Sequence, residues 1–315
     1  MRYFSEDEVR ALVRVEDVVA AIREAFTRGF TTVSMPVRTV LPLDNAILLI
    51  MPCYDSALQA AGVKLVSVSK KAGVNATYEL LDPSTGIPVA RMQANYLTDL
   101  RTAATSAVAT DLLARKDVET LGIFGSGRQA AAHLAVIPRV RNFQRFLVCG
   151  SSRSDLKDFC GKMRTELSIN LEPADAETVA CESDVICTCT TSAAPVLNGV
   201  WLRPGSHLNL VGAFQPDARE VDETAVKRAR VVVDTYEGAL TEAGDLLIPL
   251  GNKAIDHSYV MADLHEIASG KKQGRTRSED ITLFKSVGCA VEDLVTAHLI
   301  YQSGRENRVG ATPQK

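Results

Sequence analysis

Leu121-Gly-Ile-Phe-Gly-Ser-Gly-Arg-Gln-Ala130 reads as a buried strand that runs into a tight glycine turn and then a helix. That order of elements is the one that seats a dinucleotide pyrophosphate. Gly125 permits the sharp turn, Gly127 lets the backbone approach the phosphates, and Ala130 lets the helix pack close to the strand. Ser126, Arg128 and Gln129 fill the turn and face the same anion. A second apolar run, Phe146-Leu-Val-Cys149, follows after a helical stretch, as a βαβ unit requires.

The end of that second strand bears on which dinucleotide would fit. An NAD site places Asp or Glu there to bind the ribose hydroxyls, whereas this chain has Gly150-Ser-Ser-Arg-Ser154. Ser151, Ser152 and Arg153 would welcome a 2′-phosphate, so NADPH is the expected cofactor and NADH the alternative. A solvated arginine in a turn is the competing reading of Arg153.

Outward from this unit the pattern repeats. Apolar strands recur at Leu121, Phe146, Asp184 to Cys187, Leu208 to Val211 and Val231 to Asp234, separated by helical stretches. This predicts an α/β fold with a Rossmann doubly wound parallel sheet over residues 115–289. Before it, Ser5-Glu-Asp-Glu8 is a capping box opening the first of two amphipathic helices. Strand-like runs follow at Val37 to Leu43, Ala46 to Met51, Ala61 to Ser69, Thr77 to Leu81 and Ile87 to Gln93, giving a mostly antiparallel sheet. A helix over Leu97 to Leu113 leads into the dinucleotide domain, and Phe284 to Tyr301 has helical spacing and is read as returning to the first domain. The second domain, for substrate binding and dimerisation, is thus assigned to residues 1–114 with 290–315.

A chain of 315 residues exceeds ordinary single-domain size, which fits two cores. A net charge of −3 gives no electrostatic reason to expect nucleic acid as a partner. No apolar run reaches spanning length and the N-terminus opens on a capped helix, so neither a membrane partner nor a leader is expected, and the cytoplasm is the expected compartment. The seven cysteines and five histidines are dispersed, without ligand pairs, so no metal is expected.

Three cations interrupt apolar contexts: Arg38 in Met-Pro-Val-Arg-Thr, Lys64 in Gly-Val-Lys-Leu-Val, and Arg101 in Asp-Leu-Arg-Thr. A buried cation without a partner is costly, so each implies an internal carboxylate or a bound anion. Converging, they would clamp a substrate carboxylate.

With these residues in view, the chain resembles the ornithine cyclodeaminase/mu-crystallin family from end to end, nearest its ketimine reductases. The resemblance rests on Met35-Pro-Val-Arg-Thr39, Lys64-Leu-Val66, Asp82-Pro-Ser-Thr-Gly86, Arg101-Thr-Ala-Ala104, Gly125-Ser-Gly-Arg-Gln129, Asn209-Leu-Val-Gly-Ala213, Phe284-Lys-Ser-Val-Gly288 and Ala290-Val-Glu-Asp293. It implies a homodimer formed through the sheet of the first domain. It also implies that Arg38, Lys64, Thr77 and Arg101 bind the carboxylate of an amino or imino acid. Cofactor contacts are expected from Thr102, from Thr190 and Thr191, and from Val211, Gly212 and Ala213 beside the nicotinamide, with Ser286 and Gly288 closing the pocket.

One departure narrows the chemistry. Cyclodeaminases and alanine dehydrogenases of this family carry Asp where this chain has Phe214, and a phenyl ring neither accepts a proton nor pairs with an ammonium. Asp217 is read as structural, at a helix start with Glu220. An apolar wall opposite a carboxylate clamp suits a cyclic imino acid, Δ1-pyrroline-2-carboxylate or Δ1-piperideine-2-carboxylate, reduced to L-proline or L-pipecolate. Lys64 is the candidate catalytic residue, as proton donor or as carboxylate binder only. The alternatives are an open-chain amino-acid dehydrogenase, an ornithine cyclodeaminase, and a crystallin-like ligand-binding protein.

Overall fold

The computed structural model describes residues 1–69 and 71–309. Two compact units emerge, Met1–Thr105 with Cys289–Lys315, and Ser106–Gly288. The sequence places the first boundary after residue 114; in the structure it falls within the helix Asn95–Leu113, whose continuous helical pattern carries no breaker to mark it. Residues 310–315, assigned from sequence to the first domain, lie outside the described residues.

The first unit is built on a seven-stranded sheet of β1 (Arg2–Phe4), β2 (Val33–Ser34), β3 (Thr39–Pro42), β4 (Ala46–Asp55), β5 (Ala60–Ser69), β6 (Gly73–Leu81) and β7 (Pro88–Gln93). Their order is β1-β7-β6-β5-β4-β2, with β3 also on β4, and only the β1–β7 pair is parallel. The period of two sorts the side chains. Leu49, Met51 and Cys53 of β4, Lys64 and Val66 of β5, and Ala76, Tyr78 and Leu80 of β6 are buried on one face. Helices Val15–Arg28 and Ala290–Val309 pack in this unit, the latter against β4, β5 and β6. At the N-terminus the capping box of Ser5 and Glu8 starts helix Glu6–Leu12, and Gly29, at φ 79°, ends the next.

The second unit is a doubly wound α/β domain. Its sheet comprises β8 (Thr120–Phe124), β9 (Arg145–Cys149), β10 (Leu171–Pro173), β11 (Val185–Thr188), β12 (His207–Leu210), β13 (Ala229–Val233), β14 (Val260–Asp263) and β15 (Ile281–Lys285). All pairs are parallel, in the order β10-β9-β8-β11-β12-β15-β13-β14. The order reverses between β8 and β11, the switch point at whose carboxyl edge such sheets bind ligands. The core strands are buried apolar runs, as two-sided coverage by helices demands.

One expectation needs correction here. Phe284 and Lys285 do not begin a helix: they end β15, an interior strand between β12 and β13, and the helix starts only at Ala290. All five residues of β15 are buried, so strand packing overrides the helical spacing, and Gly288 at φ 84° lies in the break between the two elements.

Two buried histidines are structural. His133 Nδ1 lies 2.8 Å from the Gln129 carbonyl, which only accepts, so Nδ1 carries the proton and Nε2 accepts from the Ser106 hydroxyl at 2.9 Å. Burial pushes its pKa down to about 4, and that of His207 down to about 3 with help from Arg275, so both are neutral near pH 7. No helix among the described residues is long and apolar enough to cross a membrane.

Candidate active site

In the first unit three of the four residues expected at the carboxylate clamp come together. Lys64 projects from β5 into the interior, where its Nζ donates to Asp293 Oδ1 at 2.7 Å. Arg101, from the helix Asn95–Leu113, places Nε 3.0 Å from the same oxygen and donates from Nη1 to Glu292 Oε2 at 2.6 Å. Arg38, half-buried just before β3, adds its positive charge at Lys64. The internal carboxylate partners required by buried cations are therefore Glu292 and Asp293, at the start of the helix Ala290–Val309. Both acids lie in the motif Ala290-Val-Glu-Asp293, and their adjacency at the opening of a helix is the sequence signal by which they can be found.

The electrostatics follow from burial. Lys64 is 1% exposed, and loss of solvent pushes its pKa down to about 8; Arg101 repels it further, Asp293 pulls it back up, and Arg38 repels again. For Arg101 burial works against the charge, but Asp293 and Glu292 outweigh it and raise the pKa. Two neighbours are unsuited to proton transfer near neutrality. Burial pushes the Cys53 thiol up to about 12, aided by Asp293 and Asp55, and raises the Tyr78 phenol well above its ordinary value. Neither the Tyr78 hydroxyl nor Asp293 Oδ2, both in the buried interior, has a hydrogen-bond partner among the described residues. Gly62 makes room for the ring: a Cβ there would meet the phenol oxygen at 2.5 Å.

Thr77 does not join the clamp. In register Lys64 pairs with Tyr78, while Thr77 pairs with Leu65 on the opposite, outer face, and it is exposed. The alternation of a strand fixes this, because one residue's shift exchanges the faces. Thr102 is buried and donates its hydroxyl hydrogen to the Thr98 carbonyl at 2.8 Å, a bond within its own helix that takes up its donor.

In the second unit the glycine turn has the form required of a phosphate cradle. Gly125 follows β8 at φ 111°, and a Cβ there would lie 2.6 Å from the Cys189 carbonyl. Gly127 caps the nine-residue helix Arg128–Val136 without a side chain, and a Cβ at its position would meet nothing within 4 Å. Open space in front of a helix N-terminus suits a pyrophosphate. Ser126 and Gln129 are half-buried in this turn, and Arg128 is exposed. After β9, Ser151 and Arg153 are exposed, while the Ser152 hydroxyl accepts from Asp155 N at 3.3 Å and so caps the helix Arg153–Leu167.

The loops at the ends of β11 and β12 are organised by a residue that sequence reading placed elsewhere. Glu220 is not at a helix start with Asp217: the chain there is a loop, Asp217 is exposed, and Glu220 is fully buried. Its carboxylate holds Thr190 through both backbone and hydroxyl, so that hydroxyl is already engaged, whereas Thr191 is exposed. Gly212 and Ala213 present their N–H groups to the same carboxylate. Val211 N donates to the Thr188 carbonyl at 3.1 Å, and Phe214 packs half-buried against the core of this unit. Buried Asp234 does the same for the last loop, accepting from Ser286 Oγ at 3.1 Å, Val287 N at 2.7 Å and Gly288 N at 2.6 Å.

Comparison with known proteins places this arrangement. Residues 3–308 match the model of the ornithine cyclodeaminase/mu-crystallin family. The chain is 36% identical to a Delta(1)-pyrroline-2-carboxylate reductase of Bacillus cereus, over 98% of each chain. It is 35% identical to the ketimine reductase mu-crystallin of Rattus norvegicus, over 96% of each. Among solved structures, Delta(1)-pyrroline-2-carboxylate reductase of Thermococcus litoralis, in complex with NADH and L-proline, superposes with a TM-score of 0.95 at 37% identity, covering 98% of both chains. With nearly its whole length matched and its buried cations and glycine turn lying within that match, the chain belongs to the ornithine cyclodeaminase/mu-crystallin family.

Proposed function

We propose that the protein reduces a cyclic imino acid, Δ1-pyrroline-2-carboxylate or Δ1-piperideine-2-carboxylate, to L-proline or L-pipecolate with a nicotinamide dinucleotide. The observation that carries this reading is the pairing of Lys64 and Arg101 with the buried carboxylates Glu292 and Asp293, with the charge of Arg38 acting on Lys64, in a chain that also has the glycine cradle. The full-length likeness to a reductase solved with NADH and L-proline supports it.

In this reading the substrate carboxylate engages Arg38, Lys64 and Arg101, with the arginines supplying planar forks and the lysine a point charge. When bound, NAD(P)H supplies the hydride that adds to C2 of the C=N bond. Lys64, protonated below about pH 8, gives its proton to the imine nitrogen, so that carbon takes the hydride and nitrogen the proton, and a secondary amine results. Phe214, apolar and half-buried, offers no base for an ammonium group, which disfavours cyclodeamination and an open-chain amino-acid substrate. A crystallin-like binding role alone gives no reason for a buried lysine with its pKa pushed down to about 8.

Gly125, Ser126, Gly127, Arg128 and Gln129 would hold the pyrophosphate, and Ser151 and Arg153 the adenosine ribose. NADPH is the proposed preference, because Arg153 is exposed on the turn after β9 and Gly150-Ser-Ser-Arg-Ser154 itself carries no Asp or Glu. Steady-state rates with fresh Δ1-pyrroline-2-carboxylate, Δ1-piperideine-2-carboxylate, and pyruvate plus ammonia test the whole reading. Turnover of the cyclic imines alone is expected, faster with NADPH, and Arg153→Asp should shift the NADPH/NADH ratio about tenfold or more toward NADH. Turnover of pyruvate plus ammonia alone would replace the proposal with an open-chain dehydrogenase.

We also propose a cytoplasmic homodimer. All seven cysteines are free, which suits a reducing compartment. Val40, Leu41, Leu43 and Tyr54, on and beside β3 and β4, are between 39% and 50% exposed, an apolar surface that a second copy would cover. Sedimentation equilibrium should give twice the 34.0 kDa chain mass, and a monomer at micromolar concentration would remove the dimer.

A further inference from the structure

We infer that Glu220 is a positioning residue for the nicotinamide end of the cofactor, clamping the two loops that follow β11 and β12 into one rigid platform. The inference rests on reading the second unit as a dinucleotide domain. Glu220 is fully buried, and its carboxylate collects five hydrogen bonds. Oε1 accepts from Thr190 N at 2.7 Å and Thr190 Oγ1 at 2.8 Å. Oε2 accepts from Thr188 Oγ1 at 2.7 Å, Gly212 N at 2.8 Å and Ala213 N at 3.3 Å. One side chain thus joins two loops that belong to different strands. The fit leaves no slack: a Cβ on Gly212 would lie 2.2 Å from the Thr190 carbonyl and 2.4 Å from Glu220 Oε1.

The Glu220 backbone is itself held from behind. Asp245 Oδ1 accepts from the Glu220 and Val221 N–H groups at 2.7 and 3.1 Å. Asp245 Oδ2 lies 2.8 Å from Lys285 Nζ, and Lys285 also donates to the Ala213 carbonyl. Burial raises the Glu220 carboxyl, Lys285 opposing this and Asp245 adding to it. Well-packed apolar residues would often stabilise such a core as well or better, so this buried network is read as serving geometry rather than stability. These loops stand at the carboxyl edge of the sheet beside the β8/β11 switch point, where the ligand of such a sheet lies. The glycine cradle after β8 packs on the loop after β11, a Cβ on Gly125 lying 2.6 Å from the Cys189 carbonyl, but the Glu220 carboxylate bonds to Thr188, Thr190, Gly212 and Ala213 and not to the turn at residues 125–129, so the two ends of the cofactor answer to separate hydrogen-bond sets.

That separation gives the test. Glu220→Gln puts an amide NH2 among backbone donors and splays the platform. NADH affinity, read by fluorescence, should weaken about tenfold or more, with kcat falling, while ADP-ribose, which lacks the nicotinamide, should bind within about threefold of the unmodified protein. Thr190→Val, which removes one hydroxyl and keeps the charge, should weaken NADH less and in the same sense, and serves if the Gln variant does not fold. Parallel weakening of both ligands would make Glu220 a general structural residue, and unchanged NADH binding would leave it no role; either overturns the inference. Failure of the unmodified protein to bind NADH or NADPH would remove the cofactor reading and this one with it.

Discussion

Lys64→Met is expected to lower kcat for imine reduction by about 10²- to 10⁴-fold, the range that a positioned general acid contributes. The reason lies in the balance of forces at its ammonium. Burial, Arg101 and Arg38 all push the pKa down, Asp293 pulls it up, and the outcome is about 8, so the lysine is protonated at neutral pH yet ready to release its proton. The pH profile makes the prediction specific. Reduction by the unmodified enzyme should fall as pH rises through about 8, where the donor is lost, and this limb should be absent from the Met variant. Retained kcat with only a raised KM would confine Lys64 to holding the carboxylate.

The same pKa has a sign for stability. Below about pH 8 the lysine is protonated in both folded and unfolded chains, and the folded chain bears the full cost of its burial. Between about 8 and the ordinary 10.5 the unfolded chain keeps a proton that the folded chain has lost, so this group's contribution to stability rises with pH across that window. Lys64 therefore sets activity and stability against each other in mildly alkaline solution. A site residue held at some cost to the fold is what a functional role predicts.

Much of this architecture was legible because its signals are local. The glycine turn, the apolar parallel strands and the capping box each depend on residues a few positions apart, and each lies where the sequence places it. The edge strands β10 and β14 were not legible, since three or four residues leave too short a run for periodicity. β15 was misread because a fully buried strand and a helical segment share the same apolar composition, and only its neighbours β12 and β13 decide between them. At the site, the cations were visible as charges in apolar surroundings. Their partners were not, because Asp293 lies 229 positions from Lys64 and Glu292 lies 191 from Arg101. Thr77 fell on the wrong face for a related reason: resemblance supplies a residue type, and strand register then settles where it points. Glu220 reads from sequence as part of a helix start with Asp217, because three of its five bonds go to backbone N–H groups, which leave no trace in side-chain pattern.

Arg101 should show the other large effect, and its two substitutions should part company. Arg101→Met takes a guanidinium away from both Glu292 and Asp293, leaving Glu292 without that partner and Asp293 with Lys64 as its one cation among the described residues. Breaking a buried pair from one side costs about 3–5 kcal/mol, so the midpoint of thermal unfolding should drop along with activity. On this substitution alone, loss of substrate binding and loss of structure would look alike. Arg101→Lys separates them. The charge stays, so the carboxylates keep a counter-ion and most of the stability returns, but a point charge cannot span Glu292, Asp293 and a substrate carboxylate as a planar fork does. KM for the cyclic imine should then rise about 10- to 100-fold in a folded protein whose affinity for NADH is unchanged. Near-normal KM in the Lys variant would remove Arg101 from the substrate site and leave it as the structural partner of two buried acids. A rise in KM without loss of NADH binding would tie the clamp to the imino acid.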